Sequence, residues 1–496
     1  MRIVRSTWLP SVRRRVSARA LRPLSLLLLL SGSACKRPVT FDQSEIDRHK
    51  AFADVPPGFL LGVATSAHQI EGGNHNDWTD WERGAFPDGT PHVAGQATTE
   101  RAADSWNLWW QDVAAIEELG ANVYRVGIEW SRVQPREGEW DAAAIGRYRH
   151  MLDRLRLARP HAIEPMVTLF HFTLPPWVVA RGGWEWEGAP AAFAAFAGRV
   201  AEMYGDLVDW WCPLNEPNVY ATKSYMAGQW PPGVRDPRRA ARVLAQLLRA
   251  HGQAAAALRA KDRIDANGDG VAASIGIAHN VIVFDPASSG PLDTLVARYA
   301  DRFYNRDIPD SFAAGRIKLS LPTVVSLDEA APELAGSLDW LGINYYTRQV
   351  VASRLFGDRG PGGAPYEVIV DPKRPHNDMG WEIYPEGLYR TLMRFKSYPW
   401  PLIVTESGVA DRVGTIRPGF IRAHAYAVDR ARAEGANVRG FVYWSLIDNF
   451  EWSHGYEGRF GLYTIDFAGD PALARHPTPA VATFQELARN VGLLPR

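Results

Sequence analysis

The chain has 496 residues, with 55 Lys and Arg against 55 Asp and Glu, and 46% of it is hydrophobic. This composition excludes a disordered chain, a collagen and, with two cysteines, a disulfide scaffold; the neutral balance lacks the basic face that nucleic-acid binding needs. Nineteen Trp call either for burial or for a stacking role against a ligand.

The first 35 residues read as a separate piece. Arg2, Arg5, Arg13, Arg14, Arg15, Arg19 and Arg22 precede any acid, the first of which is Asp42. The leucine-rich run 24–30 is too short to span a bilayer, which takes about 20 apolar residues. A basic start, a short apolar core and small Gly32, Ser33 and Ala34 make a secretory signal. Cys35 follows as the lipid-bearing cysteine does in bacterial lipoproteins, although Gly32 stands where a Leu is usual. Membrane anchoring through a lipidated Cys35 and plain cleavage after Ala34 are both open. The expected location is the periplasm, or the outer membrane or cell surface as a lipoprotein. Without residues 1–35 the chain keeps 48 basic and 55 acidic residues. Residues 36–50 read as a short linker and 51–496 as one domain. Cys212, in an apolar stretch, is expected as a buried thiol.

Eight short apolar runs follow, at 59–65, 122–128, 164–170, 208–214, 273–279, 338–344, 402–405 and 438–444. Amphipathic stretches at 112–119, 191–204, 240–259 and 420–434 lie between them. Strand-like runs alternating with helices predict an α/β fold, a single (β/α)8 TIM barrel with elaborated βα loops. The stretch Asp265-Ala-Asn267-Gly-Asp269-Gly270 looks like part of a calcium loop, but its twelfth position is Gly276 rather than Glu. It reads as a tight loop without an ion. The Pro/Gly-rich stretch 356–379 is too long for a simple βα turn and is expected to form an active-site loop or lid.

Polar residues gather at the C-terminal ends of the runs, the face on which such barrels build active sites. The fourth run delivers Asn215-Glu216-Pro217 and the seventh Glu406-Ser407-Gly408. Either Glu alone reads as a solvated strand-end charge. Together they form a pair able to flank one glycosidic bond, one as proton donor and one as ionised carboxylate.

At these residues the chain resembles glycoside hydrolase family 1, over roughly 51–490. The agreement runs in order through 59–72 with Gln69 and Glu71, Tyr124-Arg125, Trp130-Ser131-Arg132, His171, Asn215-Glu216-Pro217, Asn344-Tyr345-Tyr346, Thr405-Glu406, Trp444-Ser445-Leu446, Glu451-Trp452 and Arg459-Phe460-Gly461. The resemblance implies a retaining, exo-acting β-glycosidase of the β-glucosidase type that removes terminal β-glycosyl residues. Glu216 is then acid and base, and Glu406 the nucleophile. Arg125, Asn215 and Tyr346 support them, Asn215 at the sugar 2-OH. Gln69, His171, Trp444, Glu451, Trp452 and Phe460 line the sugar site with Asn215 and Tyr346. The implied partner is a β-glycoside or short oligosaccharide, with no cofactor and no metal. A transglycosylase on the same intermediate is the alternative; a non-catalytic sugar-binding relative would be expected to have lost one Glu. The chain departs from the family pattern at Leu61, Pro213 and Ser407. Two carboxylic acids about 5 Å apart are expected for retention, and about 9 Å for inversion.

Overall fold

A computed structural model describes residues 39–321, 324–356, 360 and 364–495. The segment expected as an export signal, with Cys35, lies outside the described residues. Residues 41–496 form one compact unit, divided from residues 1–40.

All eight apolar runs are strands of one closed sheet: β1 (Leu60–Ala64), β2 (Val123–Gly127), β3 (Glu164–Phe170), β4 (Trp210–Leu214), β5 (Ser274–Pro286), β6 (Trp340–Ser353), β8 (Leu402–Ser407) and β9 (Val438–Trp444). Each pairs in parallel with its neighbour; β9 returns to β1, and β6 pairs directly with β8 to complete the ring. Helices Ser105–Leu119, Ala142–Arg156, Ala189–Tyr204, Pro237–Lys261, Pro385–Phe395 and Arg417–Ala433 lie between the strands. The Asp141 and Asp236 side chains accept backbone N–H groups at two of their starts.

Each barrel strand contributes at least one residue to a single apolar cluster: Leu60 and Ala64, Val123, Met166, Cys212, Ala278, Trp340, Ile403, and Val442 with Trp444. Trp340 needs its room, because a Cβ on Gly276 of the adjacent strand would come within 2.1 Å of its ring. Cys212 is the buried thiol that its apolar setting predicts. A packed interior of this kind leaves chemistry to the rim above it.

Three features differ from the sequence reading. First, part of the stretch 36–50 expected as a linker is folded. Asp42 caps helix Gln43–Arg48, Ile46 is buried, the Phe41 ring meets Tyr389 and Tyr426 edge-on, and His49 reaches Asp429 at 2.9 Å. A run too polar to show periodicity docks through two apolar side chains and its charges. Second, β5 and β6 run well beyond the barrel, pairing as far as Pro286 and Val351. Third, the stretch 356–379 is not loop alone. It holds β7 (Tyr366–Ile369), antiparallel to the end of β6. The Asp265 loop needs no ion for its geometry, since that carboxylate accepts the N–H groups of Gly268, Asp269 and Gly270.

Candidate active site

A cavity of about 300 Å³ opens at the C-terminal ends of the strands. Its wall holds His171, Glu216, Tyr346, Glu406, Trp444, Glu451, Trp452 and Phe460. The chain stores strain around it: Phe172, Glu216 and Trp452 have φ of 74°, 45° and 50°. Non-glycine residues in this left-handed region cost about 1–3 kcal/mol each and cluster at functional sites.

Two elements aim the carboxyl groups. Glu216 ends β4 and opens helix Pro217–Tyr220, its N–H held by the Ala278 carbonyl at 2.7 Å. Glu406 follows an irregularity in β8, where Val404 pairs with Ile343 while Glu406 already pairs with Asn344. An extra residue in one strand of a pair re-aims the side chains beside it.

The surroundings of the two carboxyls differ in kind. Glu406 is ion-paired to the buried Arg125 guanidinium through Oε1, and its Oε2 accepts the Tyr346 hydroxyl at 2.5 Å. Among the described residues Glu216 has no ion-pair partner. Its Oε1 accepts amide N–H from Asn280 and from Asn344, both at 2.8 Å. Burial, and then the negative charge of Glu406, push the Glu216 carboxyl up to about 8, so it carries a proton at neutral pH. Glu451 is pushed up to about 8 by the same burial and by Glu406 and Glu216.

A chain of hydrogen bonds ties the two settings together. Arg125 donates to Asn215 Oδ1 at 2.6 Å, Asn344 donates to the same oxygen at 3.1 Å, and Thr405 donates to Asn344 Oδ1 at 2.7 Å. Asn215 Nδ2 lies 3.1 Å from His171 Nε2. Burial and the Arg125 charge hold His171 well below its usual range, as a neutral ring. That ring stacks between Trp444 and Trp452, with centroids 5.8 and 6.0 Å away.

Arg125 and Asn215 thus stand just behind the wall. Gln69 is set back further: it accepts from Ser66 at 2.7 Å and donates to Asn449 and to the Phe450 carbonyl at 2.9 and 2.7 Å. Asn280 and Tyr304 were not foreseen from sequence. Tyr304 donates to Asn280 Oδ1 at 2.9 Å, which leaves the Asn280 amide to face Glu216. The available signal was a polar residue directly after the fifth apolar run, the position that supplies Asn215 and Glu406 elsewhere. Among the described residues no group of three or more His, Cys, Asp or Glu side chains is arranged to hold a metal ion.

A (β/α)8 barrel whose strand ends bring two unlike carboxyl groups to one aromatic-walled cavity defines a barrel glycoside hydrolase. The comparisons with known proteins agree. The model of glycosyl hydrolase family 1 matches residues 51–493, and the chain belongs to that family. It is 30% identical to a beta-galactosidase of Pyrococcus woesei, over 88% of this chain and 98% of that relative. It is 33% identical to beta-glucosidase A of Thermotoga maritima, over 83% and 93%. Among solved structures, a beta-glycosidase from Pyrococcus horikoshii superimposes with a TM-score of 0.76 at 33% identity, covering 88% of this chain and 95% of that one. The Thermotoga maritima beta-glucosidase in complex with glucoimidazole does so with 0.77 at 29%, covering 88% and 99%.

Proposed function

We propose that the chain is a retaining, exo-acting β-glycosidase of the β-glucosidase type, with Glu216 as acid and base and Glu406 as nucleophile. The observation that carries this is the split between the two carboxyls. Arg125 gives Glu406 a cation and Tyr346 gives it a hydroxyl donor, while burial and the charge of Glu406 keep a proton on Glu216. One group is ready to attack an anomeric carbon and the other to protonate the leaving oxygen.

The steps follow from charge. Attack by Glu406 forms an ester to the sugar as Glu216 gives its proton to the departing oxygen. The negative charge at Glu406 is then gone, so the pressure that raised the Glu216 carboxyl falls. Glu216, now ionised, takes a proton from the water that cleaves the ester. Arg125 holds Asn215 by its oxygen, which leaves the Asn215 amide hydrogens toward His171 and the sugar 2-OH. Trp444, Trp452 and His171 are buried side chains of the cavity wall, and aromatic faces of this kind suit the apolar face of a sugar ring. Family membership and a solved relative that holds glucoimidazole support a β-glycoside as substrate.

The deciding experiment uses Glu406→Gly. Loss of hydrolysis, with glycosyl azide of inverted anomeric configuration formed when azide is added, is expected. Undiminished hydrolysis by that variant overturns the assignment. For residues 1–35 the proposal is an export signal with lipid attached at Cys35, supported by the seven Arg, the leucine run and the small residues before Cys35. Cys35→Ala is expected to move the protein from membrane to soluble fractions; no change refutes the anchor.

A further inference from the structure

The cavity has a second chemistry away from its acidic floor. After helix Pro217–Tyr220 the chain makes a π-helical turn, Ala221–Met226, a rare geometry that gathers at functional sites. From this turn Lys223 lines the same cavity as Glu216 and Glu406, as does His454, two residues beyond Trp452. Lys223 Nζ donates to Gln229 Oε1 at 2.9 Å, a neutral oxygen, and among the described residues it has no carboxylate within ion-pair distance. Among the described residues the His454 ring makes no side-chain hydrogen bond or ion pair; the charged groups that act on it are Lys223 and Glu457. The other cation of the wall, Arg348, is already neutralised, bonded to Glu382 at 2.9 Å and Asp285 at 3.0 Å. Lys223 is therefore the cation of the wall that lacks a counter-charge.

Its position assigns a side. Glu216 meets the leaving-group oxygen under the proposed function, and Lys223 lies seven residues on, along the same strand-to-helix connection. The same cavity has an apolar stretch of wall, bordered by Asp371: Val368, Ile369 and Val370, on and just after β7, are 44%, 41% and 62% exposed and line it. Exposed apolar side chains in a row on an edge strand are a liability unless something covers them.

We propose that the leaving-group side of this cavity is built for an anionic leaving group, whose charge Lys223 receives with His454 beside it while its apolar body lies against the wall from β7. The anion is a carboxylate, sulfonate or a group of like charge. This rests on the glycosidase reading above. The pull of burial on Lys223, which lowers its pKa, fits an ammonium short of both water and partner.

The test compares four aryl β-glycosides, on whichever sugar the enzyme cleaves best: 4-carboxyphenyl, 4-carbamoylphenyl, 4-sulfophenyl and 4-sulfamoylphenyl. The readout is the anion-to-amide ratio of kcat/KM in the natural enzyme divided by the same ratio in Lys223→Met. Differences in leaving-group acidity and any effect of the substitution on folding cancel in this quotient. A quotient of about 10 for the carboxylate or the sulfonate, restored toward 1 by Lys223→Arg taken in place of Lys223→Met and reduced in high salt, supports the proposal. A quotient near 1 for both anions, with the amides hydrolysed, overturns it and leaves the glycosidase reading standing. Hydrolysis of none of the four overturns both.

Discussion

The floor and the rim of the cavity are built on opposite plans. At the floor most polar side chains around Glu406 answer one another, although Glu451 Oε2 and Ser407 Oγ are buried without a partner among the described residues. Arg125, Asn215, Asn344, Thr405 and Tyr346 form one hydrogen-bonded array under Glu406, nearly all of it buried. At the rim, among the described residues, Lys223 and His454 form no ion pair, and Val368, Ile369 and Val370 are exposed. The difference teaches where the molecule is free to vary. A charge-bearing array in a low-dielectric setting is worth most when complete, because each group left unpaired costs its full desolvation. Among the described residues Lys223 and the Val368–Val370 stretch join no such network, unlike Arg348 with Glu382 and Asp285, so single changes at these positions are expected to alter what is bound rather than whether the bond is cleaved.

Breaking the floor is expected to have the largest effects. Glu216→Ala is expected to cut kcat/KM by about 10²–10⁴-fold on glycosides with poorly departing alcohols, and far less on activated aryl glycosides that need no proton, as steady-state rates on the two substrate sets would show. In the intact enzyme the proton on Glu216 sets the alkaline limit: activity present below about 8 is expected to fall as pH rises through that value. Neutralising the neighbour in Glu406→Gln removes one cause of the raised value, so a direct titration of Glu216 by difference infrared spectroscopy is expected to shift to lower pH. Tyr346→Phe is next. It removes a charge-directed donor from Glu406 and is expected to slow kcat about 10²-fold with folding intact by circular dichroism.

Smaller effects sharpen the contrast through stability. Glu451 sits at about 8 when folded against about 4.5 when exposed, so the fold favours its protonated form. That contribution is complete below about 4.5 and is lost as pH rises toward 8. Glu451→Gln is therefore expected to raise Tm by a few degrees at pH 8 and by nothing at pH 4.5, at the expense of sugar affinity. At the rim, Ile369→Ser is expected to move stability by no more than about 0.5 kcal/mol in urea unfolding. A loss of several kcal/mol there would place β7 in the structural core and dissolve the contrast.

The same contrast explains what the sequence discloses. The eight barrel strands were legible because strands buried on both faces read as unbroken apolar runs, and Glu216 and Glu406 were legible because each ends such a run. The extensions of β5 and β6 were not: in β5 the polar pair His279-Asn280 interrupts the run before Val281 to Phe284, and in β6 burial becomes partial from Tyr346 onward. The helix Gln43–Arg48 was hidden by its six-residue length and a single buried side chain, Ile46. Asn280 and Tyr304 belong to the site only because β5 and helical segments near 304 converge on Glu216, a meeting that no local spacing records. Lys223 escaped notice for the opposite reason: a lone Lys within a helix-forming stretch reads as solvated surface.

The overshoot of β5 and β6 has a further consequence. These strands pass the mouth of the barrel and carry β7 as the outer member of a small ribbon whose hydrogen bonds are independent of the ring. Residues added to or removed from that ribbon would lengthen or shorten one bank of the cavity while the register from Gly276 to Asn280, which fixes Asn280 beside Glu216, stayed where it is. The ribbon thus works as an interchangeable part: a lineage can retool what it cleaves from a sugar without reopening the geometry that does the cleaving.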